Sequence, residues 1–145
     1  FRIASLYGHR GCKSKNRSNF PELVLQTLQS NEEITVVDDI FMSPTSAKSI
    51  VDRTIDLVDS GKCGLYHLAG SGRCSWYEFA LRIADYEGYK QEQVIRSSTK
   101  SIQQATDRGQ NTSLENRSLV ERGFRNLSPW EDNLYEYLEI RKSIN

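Results

Sequence analysis

The residues whose types and spacing most clearly suggest a chemical role lie in a glycine-containing turn at positions 70–75 (Gly-Ser-Gly-Arg-Cys-Ser), between an apolar run and a helical pattern. This spacing is close to the GxGxxG fingerprint, which lets a helix N-terminus approach a dinucleotide pyrophosphate. Serine stands at the third glycine position, however, and no acidic residue ends a following strand about 20 residues later. Ser75 and Glu78 fit a capping box, so the turn is predicted to start a helix rather than to bind a dinucleotide.

Tyr86 and Lys90 have the YxxxK spacing of a catalytic tyrosine and the lysine that lowers its pKa. That chemistry needs both residues on one face of a stiff helix. Gly88 lies between them and is expected to end the helix, so the spacing is interpreted as coincidental.

The histidines and the paired aspartates do not predict a catalytic or metal site. His67 alternates with apolar residues and is expected to be a hydrogen-bonded core residue, and His9 has no acidic or cysteine cluster near it in sequence. Asp38 and Asp39 would point to opposite faces of an extended chain. One of them is expected to accept hydrogen bonds from the turn that follows, and no metal ligand set is predicted.

Arg108 lies in a long polar segment, residues 97–113, which has no apolar period. Loops of this length are uncommon in compact domains and often carry function. A guanidinium backed by Asn111, Thr112 and Ser113 suits a phosphate group, although an exposed surface arginine is the alternative reading.

Composition excludes several classes of function. Among the 145 residues, nineteen basic and nineteen acidic side chains cancel, so no overall field would hold nucleic acid or an acidic membrane. The three cysteines form no CxxC pair, and no apolar run approaches the roughly 20 residues needed to span a bilayer. A cytoplasmic protein is expected, without nucleic-acid or membrane partners.

Strand and helix patterns alternate along the chain. Strands are predicted at residues 1–7, 34–37 and 65–69, with a small edge strand at 94–95. The strand at 34–37 is apolar enough to be covered on both faces. Alternation with helices predicts βαβ units and a parallel sheet with helical cover, an α/β fold. The later half is richer in helix and loop, which suggests sheet-associated segments in 1–70 and a helix-rich lobe in 71–145.

Four helices have predicted buried faces, and that of the last, which follows Ser128 and Pro129, is Trp130, Leu134, Tyr137 and Leu138. Asn19 is expected to cap the first, whose inner face would be Leu23, Val24, Thr27 and Leu28. The second would bury a single stripe at helical spacing, and a third would follow the turn at 70–75. The predicted stripe of the second helix is Ala47, Ile50, Val51, Ile55 and Val58.

The first residue is phenylalanine, and it begins a strand pattern with nothing before it to pair with. The chain is therefore expected to be the later part of a longer protein. An exposed sheet edge would favour pairing with a second chain, so a homo-oligomer is a further expectation.

Six motifs in order along the chain resemble the later half of the dTDP-4-dehydrorhamnose reductase family, extended short-chain dehydrogenases/reductases. The strongest are the YHLAGSG and SWYEFA stretches. With the family patterns in parentheses, the six are Arg2–Gly8 (RTSWxYG), Asn19–Phe20 (NF), Val37–Thr45 (VxDQxGxPT), Gly64–Ala80 (GxYHxxGxGxxSWYEFA), Ala105–Leu114 (AxRPxxSxL) and Pro129–Trp130 (PW).

The resemblance implies an enzyme that passes hydride from NADPH or NADH to the 4-keto group of a dTDP-linked deoxysugar, giving dTDP-L-rhamnose. In this family the first half is the Rossmann domain, with the glycine fingerprint and the catalytic Tyr and Lys. By this resemblance the present chain holds the last parallel strands of a Rossmann-like sheet and a helix-rich substrate-binding lobe. The cofactor would be bound mainly by the other half, and the chain alone is expected to be inactive, with no catalytic residue of its own.

The resemblance also assigns roles by position. Ser5 and Tyr7 would lie beside the nicotinamide and the sugar, and Arg108 would neutralise the diphosphate. The residues it implies for binding the nucleotide sugar are Asn19, Phe20, Thr45, Arg108 and Ser113.

The chain departs from the family pattern at several positions. Ile40 replaces a glutamine, Met42 a glycine and Gly109 a proline, and residues 9–17 form a basic insertion. The alternatives are therefore another nucleotide-sugar reductase or epimerase, and a non-catalytic protein like the regulatory subunit of methionine adenosyltransferase.

Overall fold

Short strands alternate with helices in a computed structural model, which describes residues 1–9, 18–101 and 109–144. The strands are β1 (Arg2–Ile3), β2 (Leu6–Tyr7), β3 (Ile34–Val37), β4 (Phe41–Met42), β5 (Thr45–Ser46), β6 (His67–Leu68), β7 (Cys74–Ser75) and β8 (Val94–Ser97). The helices are α1 (Phe20–Gln29), α2 (Ala47–Asp59), α3 (Trp76–Tyr86), α4 (Arg117–Glu121) and α5 (Trp130–Ile144).

Among the described residues the strands form four pairs, of which three are parallel. β1 pairs with β6, β2 with β5 and β3 with β8 in parallel, while β4 and β7 are antiparallel. The predicted edge strand at 94–95 is confirmed as β8, which continues to Ser97. These pairs confirm the predicted α/β class with parallel pairing.

The strand predicted over residues 1–7 is interrupted at Ser5. This residue has a φ of 40°, in the left-handed region that non-glycine residues rarely adopt. Before it, β1 pairs with β6, and after it, β2 pairs with β5. The change of partner explains the break, because one straight strand could not follow both neighbours.

The chain divides into two compact units that interleave along the sequence. Unit 1 comprises residues 1–9, 43–73 and 113–145, and unit 2 comprises 10–42 and 74–112. The predicted division into sheet-associated segments in 1–70 and a helix-rich lobe in 71–145 stays a prediction.

The core of unit 1 lies between α2, α4 and β6. Its cluster of buried residues is Ile50, Leu57, Tyr66, Leu68, Leu119 and Leu127, with Phe124 packed against it. The inner face of α5 adds Trp130, Leu134, Tyr137 and Leu138, which the sequence pattern predicted correctly.

The predicted buried stripe of α2 is largely wrong. Ile50 is buried, but Val51, Ile55 and Val58 are 57%, 54% and 69% exposed, and the other buried position is Leu57. The helix has two apolar faces, and helical spacing alone does not say which of them meets the rest of the chain.

Side-chain amides join the segments of unit 1 at the end of β6. The Asn116 carboxamide is buried, accepts from the Ala69 N–H at 2.9 Å and donates to the Ala69 carbonyl at 2.7 Å. It also donates to Asn126, which in turn donates to Ser71. Asn116 therefore pairs with Ala69 as a neighbouring strand would.

In unit 2, α1 and α3 pack beside the β3–β8 pair. The α1 residues Val24, Leu25 and Leu28 are buried, whereas Leu23, predicted for the inner face, is 49% exposed. β3 has one fully buried position, Val36, and Thr35 is exposed, so the prediction of two covered faces is wrong.

The predicted start and end of α3 are confirmed. Ser75 accepts from the Glu78 N–H while the Glu78 carboxylate accepts from the Ser75 N–H, which is a complete capping box. The helix ends at Tyr86, and Gly88 has a φ of 74°. Lys90 lies beyond the helix, which supports the interpretation that its spacing from Tyr86 is coincidental.

Candidate functional site

Ser5, Tyr7 and Thr45 come together in unit 1 at the β2–β5 pair. Leu6 is in register with Thr45, and the Ser5 carbonyl accepts from the Thr45 N–H at 3.1 Å. Tyr7 is 3% exposed, and its ring lies edge-on to Tyr137 with centroids 5.2 Å apart. Three of the predicted site residues are thus neighbours, with Ser5 just before β2, Tyr7 at the carboxyl end of β2 and Thr45 at the start of β5.

The Thr45 side chain is fully buried and engaged with the protein. Its hydroxyl donates to the Ser43 carbonyl at 2.9 Å and accepts from the Gly70 N–H at 3.1 Å. This geometry fixes the turn after β6 against the turn before β5. Any contribution of Thr45 to ligand binding would come through the shape of that turn.

The two glycines of the turn at 70–75 are explained by close packing. A Cβ on Gly70 would collide with the backbone oxygen of Pro44. Gly72 has a φ of 90°, and a Cβ there would meet the Trp130 ring at 3.2 Å. Packing within the chain therefore accounts for both glycines, and the turn needs no bound dinucleotide to explain them.

Ser113 is half-buried in unit 1 and precedes Leu114, whose backbone is hydrogen-bonded to the turn before β5. The Leu114 N–H donates to the Ser43 hydroxyl at 3.3 Å, and that hydroxyl donates to the Gly72 carbonyl at 2.9 Å. Ser113 therefore starts the segment that returns to the turns around Thr45.

Asn19 and Phe20 lie together in unit 2, at the start of α1. The Asn19 side chain accepts from the Glu22 N–H at 3.0 Å, so the predicted cap is confirmed. The Phe20 ring packs against α3, with centroids 4.7 Å from Trp76 and 5.9 Å from Phe79.

Arg108 lies outside the described residues. The segment after it returns to β4, where Asn111 bridges Phe41 and the Thr112 N–H donates to the Phe41 carbonyl at 2.9 Å. The role implied for Arg108 stays a prediction.

A group of polar residues at the ends of β3 and β8 was missed by the sequence reasoning. Asp38 accepts from the Ser75 hydroxyl at 2.5 Å and from the Arg96 guanidinium, whose Nε lies 2.6 Å away. Asp39 accepts from the N–H and the hydroxyl of Thr99. The aspartates do face different partners, but these lie more than 30 residues away in sequence instead of in the turn that follows.

The Thr99 hydroxyl lowers the pKa of the Asp39 carboxyl from its ordinary value by hydrogen bonding to it. Asp39 is therefore a carboxylate, and purely an acceptor, at neutral pH. The sequence did contain an indication of this polar group. Polar residues follow both predicted strands, and parallel strands bring their carboxyl ends to the same edge of a sheet.

The remaining titratable residues do not assemble a metal centre in the part of the chain that the structure describes, where no group of three or more His, Cys, Asp or Glu could hold an ion. His67 is half-buried, and its Nδ1 lies 3.1 Å from the Glu115 carbonyl oxygen, as expected for a hydrogen-bonded histidine. Across residues 1–9, 18–101 and 109–144, none of the helices is long and apolar enough to cross a bilayer.

Comparison with known proteins gives relatives over nearly the whole chain. The spore coat polysaccharide biosynthesis protein SpsK of Bacillus subtilis is 35% identical over 142 residues, which cover 98% of this chain and 47% of SpsK. The dTDP-4-dehydrorhamnose reductase of Escherichia coli K12 is 33% identical over 88 residues, covering 57% of this chain and 27% of that enzyme. The chain thus spans at most about half the length of these relatives.

The fold is also that of a solved reductase. The dTDP-4-dehydrorhamnose reductase of Bacillus anthracis, determined in complex with NADP, superimposes with a TM-score of 0.87 at 29% identity. The match covers 96% of this chain and 47% of that enzyme. The family model of the RmlD substrate binding domain matches residues 1–142. The predicted resemblance is confirmed, and the chain belongs to the RmlD substrate binding domain family.

Proposed function

We propose that this chain is the nucleotide-sugar-binding part of a reductase that acts on a dTDP-linked 4-keto-6-deoxysugar. The observation that carries the proposal is the family match over residues 1–142, together with a fold shared with an NADP-bound dTDP-4-dehydrorhamnose reductase. A bound NADPH or NADH would supply the hydride for the carbonyl carbon, and the product would be dTDP-L-rhamnose.

Packing explains the glycines of the turn at Gly70, and the dinucleotide would be held mainly by the half of the relatives that this chain does not cover. The chain's own contribution would be to bind and orient the nucleotide sugar. Ser5 and Tyr7 would border the reacting sugar from the two ends of β2. Asn19 and Phe20 would bring the positive end of the α1 dipole towards the diphosphate, although Pro21 has no N–H and the Glu22 N–H is bonded to Asn19.

Arg108 would make the charged contact with the diphosphate, backed by Ser113. A guanidinium fork matches phosphate oxygens with two parallel hydrogen bonds. Its replacement should therefore cost more than the loss of a neutral hydrogen bond.

Isothermal titration calorimetry with dTDP tests this assignment on the 145-residue chain. Arg108→Ala should weaken binding by about 2 kcal/mol, the scale of losing a hydrogen bond to a charged group. Arg117→Ala is the matched control, since Arg117 is 81% exposed and pairs with Glu121 on the surface of α4. Equal dTDP affinity for the wild-type chain and Arg108→Ala would contradict the diphosphate role.

A second measurement separates binding from chemistry. The chain alone, given NADPH and the dTDP-4-keto sugar, should not oxidise the cofactor, because the proposal leaves the catalytic groups outside these residues. Turnover by the isolated chain would overturn that division of labour.

A further inference from the structure

Unit 2 has a depression at the carboxyl ends of its two parallel strands. Its volume is about 500 Å³, within the range of small-molecule sites. β3 and β8 end together, with Val37 in register with Ser97. The described residues that line the depression are Asp38, Asp39, Arg96, Ser97, Ser98 and Ser101, of which none belongs to the predicted substrate or cofactor set.

The Arg96 guanidinium is held in place on the rim. Its Nε and one terminal nitrogen pair with the Asp38 carboxylate, and its Cζ lies 5.4 Å from the centre of the Tyr77 ring. The Arg96 side chain is nevertheless 69% exposed, while that of Asp38 is 19% exposed. The pair therefore combines a fixed orientation with donor hydrogens that a ligand in the depression can reach.

Three serine hydroxyls also line the depression. The Ser101 hydroxyl donates to the Ser98 carbonyl at 2.8 Å and lies 3.0 Å from the Ser97 hydroxyl and 3.3 Å from that of Ser98. A hydroxyl has one donor and two acceptor positions, so these contacts leave lone pairs on Ser97 and Ser98. The wall thus offers acceptors next to the donors of Arg96.

The charges around the depression balance. Asp38 and Asp39 are carboxylates, and Arg96 and the nearby Lys100 are cations, with Lys100 close enough to favour the charged form of Asp39. An anionic ligand would meet two carboxylates, and a cationic ligand would meet two basic groups. Neutral groups that both donate and accept hydrogen bonds, such as the hydroxyls of a sugar, match this surface.

We propose that this depression is a binding site for a neutral polyhydroxylated ring, in which Arg96 and Asp38 hold one pair of neighbouring hydroxyls and Ser97 and Ser98 contact the next. The site is independent of the proposed diphosphate contact, since it uses none of the same residues. It predicts affinity for a saccharide that carries no nucleotide.

Titration of the ¹⁵N-labelled chain with methyl α-L-rhamnopyranoside, followed by NMR, tests the proposal. The backbone amides of Ser97, Ser98 and Ser101 should shift in a saturable manner, and inorganic pyrophosphate should leave them unchanged. Arg96→Ala should weaken the glycoside by about tenfold, as expected when a charged hydrogen-bond donor is lost. Arg82→Ala, a half-exposed arginine on α3 near Asp85, should not change the affinity.

Ser98→Ala keeps the Arg96–Asp38 pair and should weaken the glycoside by about threefold, the effect of one neutral hydrogen bond. Thermal melts of each variant establish that the fold is retained. No saturable shift at the three serine amides, shifts caused by pyrophosphate instead, or equal affinity for Arg96→Ala would each overturn the site. Binding of dTDP in the same samples reports separately on the proposed function, so the two can fail independently.

Discussion

The two units of this chain differ in how many large apolar side chains they expose. Unit 2 keeps three aromatic rings within its own core, where Phe20, Trp76 and Phe79 pack between α1 and α3 beside the β3–β8 pair. Unit 1 instead leaves large apolar side chains open. Among the described residues the exposed large hydrophobic side chains, apart from Leu23 and Ile95, all belong to unit 1.

The difference extends to how each unit is held together. Unit 1 depends on close backbone contacts and buried amides, with Gly70 against Pro44 and Asn116 paired to Ala69. Its exposed apolar side chains include Ile3 and Leu6 on the strands and the outer stripe of α2, which is formed by Val51, Ile55 and Val58. Large exposed apolar side chains favour contact with another protein surface, so we expect unit 1 to self-associate more readily than unit 2.

The largest expected effect is in the core of unit 2. Phe79 is 2% exposed, and Phe79→Ala should lower the free energy of unfolding by about 3–5 kcal/mol through lost burial and the cavity left behind. Urea denaturation followed by circular dichroism measures it. Leu23→Ala, on the exposed face of α1, should cost less than about 1 kcal/mol. Similar losses in the two variants would contradict a closed core around Phe79.

An intermediate effect is expected at the turn of unit 1. Gly70→Ala should destabilise the chain by about 3 kcal/mol, since its Cβ has no space against the Pro44 oxygen and the backbone must shift. Gly109→Ala is the control, because a Cβ on Gly109 meets nothing within 4 Å. Equal unfolding midpoints for Gly70→Ala and Gly109→Ala would show that the turns at Gly70 and Pro44 do not pack as described.

The smallest effect on unfolding is expected on the outer stripe of α2. Ile55→Lys combined with Val58→Lys should change the unfolding free energy by less than about 1 kcal/mol, since both side chains are more than half exposed. Self-association measured by sedimentation velocity should fall, because apolar area that favours pairing is removed. Asp59→Lys controls for added charge on the same helix. A large loss of stability in the double variant would mean that the stripe is part of the core of unit 1.

Local rules predicted the helix ends well. The Asn19 cap, the Ser75–Glu78 capping box and the end of α3 before Gly88 depend on residues within one turn of each other. Such features need no knowledge of distant partners. The buried face of α5 was predictable because its other side is clearly polar.

Features that depend on partners could not be predicted in the same way. The outer and inner stripes of α2 have similar apolar content, and packing against Tyr66 and Leu119 selected the one with Ile50 and Leu57. The break at Ser5 follows from a change of strand neighbour, which the residue itself does not signal. The Asp38–Arg96 pair joins residues 58 positions apart, so only the parallel register of β3 and β8 brings them together.

The interleaving of the two units has a consequence for how the chain is made. Unit 2 is complete in sequence once residue 112 has been synthesised, whereas unit 1 holds the first strand and also needs α5 near the C-terminus. During synthesis, the earlier strands of unit 1 must therefore wait for its last helix, while the intervening unit 2 can already close. A ribosome-bound chain of residues 1–112, extended by a linker long enough to carry residue 112 out of the exit tunnel, should protect unit 2 from protease and leave β1 open to cleavage.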